Sequence, residues 1–139
     1  MRILAVDPGE KSLGIALSDP TGTIANPLTV LHHVSRPIDA AAIASLAAEQ
    51  GAEMIIVGHT LDEDGNPTPQ GRRASRLAAA IRTQTALPVV LWEESGSTQA
   101  ARQARLDLHV TRRRRSGHLD ELAATYILQT YLDSGAWSP

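Results

Sequence analysis

Residues Ile3–Val6 are apolar at every position, and Asp7-Pro8-Gly9 closes the run at once. A stretch this short and this uniformly aliphatic reads as a strand covered on both faces, which requires packed layers above and below a sheet. Leu13–Leu17 reads as a second strand. The following Asp19-Pro20-Thr21-Gly22 carries the residues a type I turn prefers at its first, second and fourth positions. A third strand over Ile24–Leu31 is therefore expected to run back antiparallel. Asn26-Pro27 inside it marks an edge strand or a bulge, because proline donates nothing to a ladder.

Beyond this hairpin region the period changes. From Pro37 to Gln50 the placement of Ile43, Leu46 and Ala47 is helical, with Gly51 as a stop. Met54–Val57 reads as a fourth strand, and Gly58–Gly71 as a polar loop of the long kind that tends to be functional or mobile. A helix over about Arg72–Thr85 leads to a fifth strand, Val89–Trp92. The crossover rule makes strands three, four and five parallel. Two further helices, about Thr98–Leu108 and Leu119–Leu132, lie on either side of the run Arg112–Arg115. The order β-β-β-α-β-α-β-α-α predicts an α/β fold with a mixed sheet. At 139 residues and 42% hydrophobic content, the chain is expected to form one domain over residues 1–139. Aromatic residues are only 3%, with no Phe, so the core must be built from Ala, Leu, Ile and Val, which favours helices packed on a sheet.

The chain has no cysteine. Disulfides, zinc-thiolate sites and thiol nucleophiles are thereby excluded together, and a reducing, cytoplasmic setting is expected. The apolar run before Asp7, Ile3–Val6, is only four residues long, far short of a signal peptide's apolar region or of the roughly 20 needed to span a bilayer, so no membrane association is expected. The formal net charge of −2 averages over a strong asymmetry. Residues 72–115 carry ten Arg against three acids, a net of +7, and the remainder carries −9. A basic surface beside an acidic site is how a protein holds a polyanion next to metal ligands.

The acids fall at places that fix direction. Asp7 ends strand one, Glu93 and Glu94 end strand five, and Gly58-His59 ends strand four; in open sheets with parallel strands, ligands collect beyond carboxyl ends. Asp120, in the last helix, precedes Ala123 by three residues and Ile127 by seven, so it borders the core. A carboxylate there is costly without a cation or donors. Three carboxylates with no Lys or Cys nearby form a hard-oxygen set suited to Mg2+ or Mn2+. Each also has an ordinary role open to it: Asp7 could shape a turn, Asp120 could favour a helix start, and Glu94 could be a solvated loop acid.

The sequence resembles the YqgF/RuvX family, described as pre-16S rRNA nucleases or RuvC-like Holliday junction resolvases of the ribonuclease H-like superfamily. The resemblance is carried by Ile3–Gly9 with Gly14 and Ile15, Ile55–Gly58 with Asp64-Gly65, Val89–Glu94 with Ser97-Thr98, and Leu119–Ala124 with Ile127-Leu128. It spans almost the whole chain. It implies a ribonuclease H-like fold with a five-stranded mixed sheet in the order 3-2-1-4-5 and helices on both faces. It also implies that Asp7, Glu94 and Asp120 are the catalytic, metal-holding carboxylates. The chain departs from the family where Glu93-Glu94-Ser95-Gly96 replaces Asp-Glu-Arg-Leu, where His59-Thr60 replaces Leu-Pro, and in the acidic Asp62-Glu63-Asp64. These changes bear on substrate preference.

The expected activity is metal-dependent hydrolysis of a phosphodiester, with Asp7 shared between two cations and Glu94 and Asp120 each holding one. On the family resemblance alone, pre-16S rRNA is the first expected substrate, and DNA or a Holliday junction the second, acted on by a monomer or homodimer. Arg112, Arg113, Arg114 and Arg115, with Lys11 in the turn after strand one, are expected to hold backbone phosphates. Glu93 and His118 are auxiliary candidates, whereas His32, His33 and His109 read as surface residues and Trp92 as core. Two other classes remain open. A nucleotide-binding fold of the actin and sugar-kinase type also opens with Asp-x-Gly, but it needs a second lobe. A nucleic-acid-binding module without catalysis would bind RNA or DNA without metal and never shorten it.

Overall fold

The computed structural model describes residues 1–59, 64–93 and 119–136, and of residues 119–121 the backbone alone. Five strands form one sheet: β1 (Ile3–Pro8), β2 (Ser12–Ser18), β3 (Ala25–His32), β4 (Met54–His59) and β5 (Val89–Glu93). Their order across the sheet is β3-β2-β1-β4-β5, as the family resemblance implies. β2 is antiparallel to both β1 and β3, while β4 is parallel to β1 and to β5. Three helices accompany them among the described residues: α1 (Arg36–Glu49), α2 (Pro69–Arg82) and α3 (Leu119–Ser134). This is the ribonuclease H-like architecture. The expected helix at Thr98–Leu108 lies outside the described residues.

Alternation along β1 divides the core into two layers. Leu4 and Val6 point to the side where Ile43 and Ala47 of α1 and Leu77, Ala78 and Ile81 of α2 are buried. Ile3 and Ala5 point to the other side, against Ala124, Ile127, Leu128 and Tyr131 of α3. Both sides of β1 are thus sealed, which is why Ile3–Val6 could be apolar throughout. Burying each of these large aliphatics stabilises the fold by about 1.5–3 kcal/mol. Trp92 is part of the α3 layer, edge-on to Tyr131 with ring centroids 5.0 Å apart, and its indole N–H donates to the Thr130 hydroxyl at 3.0 Å. It is a core residue with its one polar atom satisfied.

The edge strand shows what Asn26-Pro27 does. Ile15 pairs with Thr29 but Ala16 pairs with Pro27, so β3 holds one extra residue, a bulge, on the outermost strand. At the next turn Gly22 N–H donates to the Asp19 carbonyl at 3.0 Å, closing the expected four-residue turn.

Several boundaries differ from the sequence reading. β1 continues through Asp7 to Pro8, because β2 remains paired there, with Asp7 opposite Gly14 and Pro8 opposite Leu13. β4 likewise runs to His59, and β5 to Glu93. α2 begins at Pro69, three residues before the expected start, and ends at Arg82 rather than Thr85. Its N-cap is Thr68, whose hydroxyl accepts the Gly71 N–H at 3.0 Å, with Pro69 at the first helical position. The connection after β4 is therefore shorter than the loop expected over Gly58–Gly71. α1 starts at Arg36 behind the cap Ser35 and stops where Gly51 takes a φ of 69°. No helix among the described residues is long and apolar enough to cross a membrane.

Candidate functional site

Asp7 sits near the carboxyl end of the central strand, half-buried. The alternation that sends Ile3 and Ala5 toward α3 sends Asp7 the same way. Its neighbours there are small. On β2 the residue opposite is Gly14. On β4 the register Val6 to Val57 places Gly58 alongside it. A carboxylate is thus presented on the α3 face between two positions that carry no side chain.

α3 is aligned with this end of the sheet. Ile127 lies so close to Gly58 that a Cβ there would fall 2.6 Å from its Cδ1. One turn further along, the Tyr131 hydroxyl meets the Met54 sulfur at 3.4 Å, at the start of β4. Gln129 accepts the Ala25 N–H at 2.9 Å, at the start of β3. The helix therefore runs from the carboxyl ends of the parallel strands toward their amino ends. Asp120, two turns ahead of Ile127 and so about 10 Å further along the axis, belongs to the end that Asp7 occupies. The Asp120 side chain itself lies outside the described residues.

The other expected site residues separate by face or by coverage. Glu93 follows Val89 and Leu91 on the α1–α2 side, whereas Val90 and Trp92 pack toward α3. Its alternation puts it on the face opposite Asp7. His59, paired with Glu93 across β4 and β5, shares that opposite face. Lys11 is exposed in the turn between β1 and β2, and its carbonyl accepts the His33 N–H at 2.9 Å. Glu94, Arg112, Arg113, Arg114, Arg115 and His118 lie outside the described residues. Among the described residues no three Asp, Glu, His or Cys side chains gather as a metal site. Two members of the expected triad are absent from that comparison.

The turn that follows Asp7 is rigid. Gly9 N–H donates to the Ser12 carbonyl at 2.9 Å, and a Cβ on Gly9 would stand 2.5 Å from that same oxygen. Only glycine fits without moving the backbone of the hairpin that carries Asp7. The donor chemistry suits a hard divalent cation: a carboxylate on a central strand and no cysteine in the chain.

On the α1–α2 face the structure holds residues the sequence reading did not single out. His33, read as a surface residue, is 43% exposed, yet its Nδ1 meets the carboxylate of Asp39, which is only 4% exposed. The other Asp39 oxygen accepts the Val34 N–H at 3.0 Å. These two residues and three arginines line a cavity of about 560 Å3 between α1 and α2. The sequence carried one usable signal: Arg73 and Arg76 are three apart, the spacing of one helix face.

A sequence profile of the RuvX family, described as Holliday junction resolvase, matches residues 1–134. A Moorella thermoacetica protein named "Putative pre-16S rRNA nuclease" is 38% identical over 133 residues, covering 96% of this chain and 95% of its own. A Clostridium novyi protein of the same name is 34% identical, covering 96% of this chain and 99% of its own. Among solved structures, Thermus thermophilus RuvC in complex with a Holliday junction substrate superposes with a TM-score of 0.60 at 15% identity. That match covers 98% of this chain and 96% of RuvC. The fowlpox virus Holliday junction resolvase gives 0.55 at 15% identity, covering 96% of this chain and 99% of its own. Both structural likenesses speak to the fold.

Proposed function

The chain belongs to the RuvX family, and from that premise we propose that it is a nuclease hydrolysing phosphodiester bonds with divalent cations held by Asp7, Glu94 and Asp120. The whole chain, residues 1–139, acts as one nuclease domain in the cytoplasm. The observation that carries this reading is the position of Asp7. It lies on the face that α3 covers, between Gly14 and Gly58, at the end of the sheet toward which the start of α3 points.

The chain's own residues divide the work. Asp7 is fixed by a central strand and a turn that tolerates only glycine at position 9, so its oxygens are preorganised. Asp120 comes from a helix packed by Ile127 against Gly58, and Glu94 follows the last residue of β5 in the chain. Because Glu93 alternates to the opposite face, Glu94 is the better ligand and Glu93 is at most auxiliary. When bound, Mg2+ or Mn2+ makes water a competent nucleophile near neutral pH and offsets charge gathering on the phosphate oxygens. Lys11 and Arg112–Arg115 hold backbone phosphates, and His118 is placed two residues before Asp120 to orient the scissile group. No side-chain nucleophile is needed.

RNA is the first substrate, on the name shared by the curated relatives, with 5′-end processing of pre-16S rRNA as the role. The family's description favours a second reading, a junction resolvase, which would require a two-fold dimer to cut symmetric strands. Labelled single-stranded RNA, duplex DNA and a four-way junction, incubated in parallel with Mg2+, Mn2+ or EDTA, separate these. The expected result is RNA cleavage with either metal, none in EDTA, and none by Asp7→Asn. Cleavage that survives EDTA, or a wild-type rate in Asp7→Asn, contradicts the reading; binding without shortening under every condition makes the protein a non-catalytic binder.

A further inference from the structure

The cavity between α1 and α2 opens at the same edge of the sheet as Asp7 but on the opposite face. Pro8, the residue after Asp7, forms part of its wall, with Leu13 and Leu77. Three arginines line it: Arg36 from the first turn of α1, and Arg73 and Arg76 from α2. About 560 Å3 lies within the range of pockets that enclose a small ligand.

The charges do not cancel one another. Asp39 is the carboxylate in the lining, and both its oxygens are already engaged, one by His33 and the other by the Val34 N–H. Arg73 is 3.6 Å from Glu10, whose side chain is 81% exposed, so this pair is weak and easily exchanged. Arg36 and Arg76 make no hydrogen bond or ion pair among the described residues. Other arginines of α2 behave differently. Arg72 donates to the Pro67 carbonyl at 3.0 Å, and Arg82 donates to the Val89 carbonyl at 2.8 Å and 3.2 Å. Those two serve the fold, and the cavity arginines do not.

Three arginines around one hollow, two of them unpartnered among the described residues, match the planar forks by which guanidinium groups grip phosphate oxygens. Both helices also direct their positive N-terminal ends toward the cavity edge, which adds to the attraction for an anion. We infer that this cavity is a second nucleic-acid contact, in which Arg36, Arg73 and Arg76 hold backbone phosphates of the substrate after it has crossed the Gly9–Lys11 turn from the Asp7 face. The inference rests on the nuclease reading for the kind of polyanion involved. It adds a site on the other side of the sheet from Asp7. Lys11, exposed at the tip of the turn, stands at the crossing point.

Binding of a fluorescent single-stranded RNA to the full chain carrying Asp7→Asn, in EDTA and over a range of KCl, tests it without cleavage. Arg76→Gln should weaken binding by roughly threefold to tenfold at about 50 mM salt. It should also flatten the slope of log K against log salt by about 0.7, the value of one single-strand phosphate contact. Arg72→Gln, which removes the same charge one turn away, should leave both unchanged. Combining Arg36→Gln, Arg73→Gln and Arg76→Gln should flatten the slope by about 2, with the melting temperature held. Equal effects of Arg72→Gln and Arg76→Gln, or none from either, overturn the site. If binding is so unaffected while the chain with Asp7 intact cleaves RNA in a metal-dependent way, the nuclease reading stands and this inference alone falls. If the chain binds neither RNA nor DNA, both fall together.

Discussion

The two faces of the sheet end differently at one edge. On the α3 face the central strand presents Asp7 one residue before its end, with glycine on each side, under the end of a helix whose first turn includes Asp120. On the α1–α2 face the next residue, Pro8, opens onto a hollow bordered by Arg36, Arg73 and Arg76. The strand's alternation is what separates the two environments, and a single peptide link joins them. On the proposed reading, a polyanion is gripped on one side and meets Asp7 on the other without either charge neutralising its neighbour. Hence a chain with a net charge of −2 can still be built to meet nucleic acid.

The comparison breaks first at Asp7. Asp7→Asn should abolish detectable cleavage, a loss of at least about 10²–10³-fold, the range for removing one preorganised group that stabilises developing charge, while the melting temperature holds. A matching loss from Glu93→Gln would mean the faces are not separate. The next largest effect is on packing. Gly58→Ala drives a methyl group into the fully buried Ile127, and overpacking of this kind costs about 1–3 kcal/mol. Chemical denaturation should show that loss, and cleavage by the remaining folded protein should fall as well, because α3 is displaced from Asp7. Full activity per folded molecule would detach α3 from the site. Smaller still are the single arginine substitutions on the opposite face, expected to change binding and its salt response more than the cleavage rate of bound substrate.

The smallest effect serves as a control at the far edge of the sheet. The Asp19 carboxylate accepts N–H donors from Ile24 at 2.9 Å and Thr23 at 2.8 Å, and the Thr21 hydroxyl. The Ile24 N–H, then the Thr21 hydroxyl and the Thr23 N–H, hold its pKa well below the usual carboxylate range. A depressed folded-state value gives stability that is complete above the unfolded value of about 3.9 and is lost as pH falls below it. Asp19→Asn should therefore be less stable than wild type at neutral pH, with the gap narrowing below about pH 4. Urea midpoints against pH measure this, and cleavage at neutral pH should not respond.

The strands were legible because sealed strands are apolar throughout, as in Ile3–Val6, and because proline in β3 could sit only at an edge or bulge. The start of α2 was missed although Thr68-Pro69 is a cap followed by a favoured first residue; Gly71, taken as loop, lies buried within the first turn. Asp7 stood out because an acid ended an apolar run. The pairing of Asp39 with His33 could not be read, since an acid in a helix's first turn looks like ordinary dipole compensation until burial is known. The arginine cavity was equally hidden, because it exists only where two helices far apart in sequence lie side by side. The resemblance assigns Glu94 as the ligand with Glu93 auxiliary; the alternation of β5 places Glu93 on the face opposite Asp7, and Glu94 lies outside the described residues.

The most direct measurement is Mn2+ binding, followed by electron paramagnetic resonance in the full chain and four single variants without nucleic acid. The account predicts tight binding in the wild type and in Glu93→Gln, and its loss in Asp7→Asn, Glu94→Gln and Asp120→Asn. Undiminished binding in Asp7→Asn, or loss in Glu93→Gln with Glu94→Gln unaffected, would contradict it.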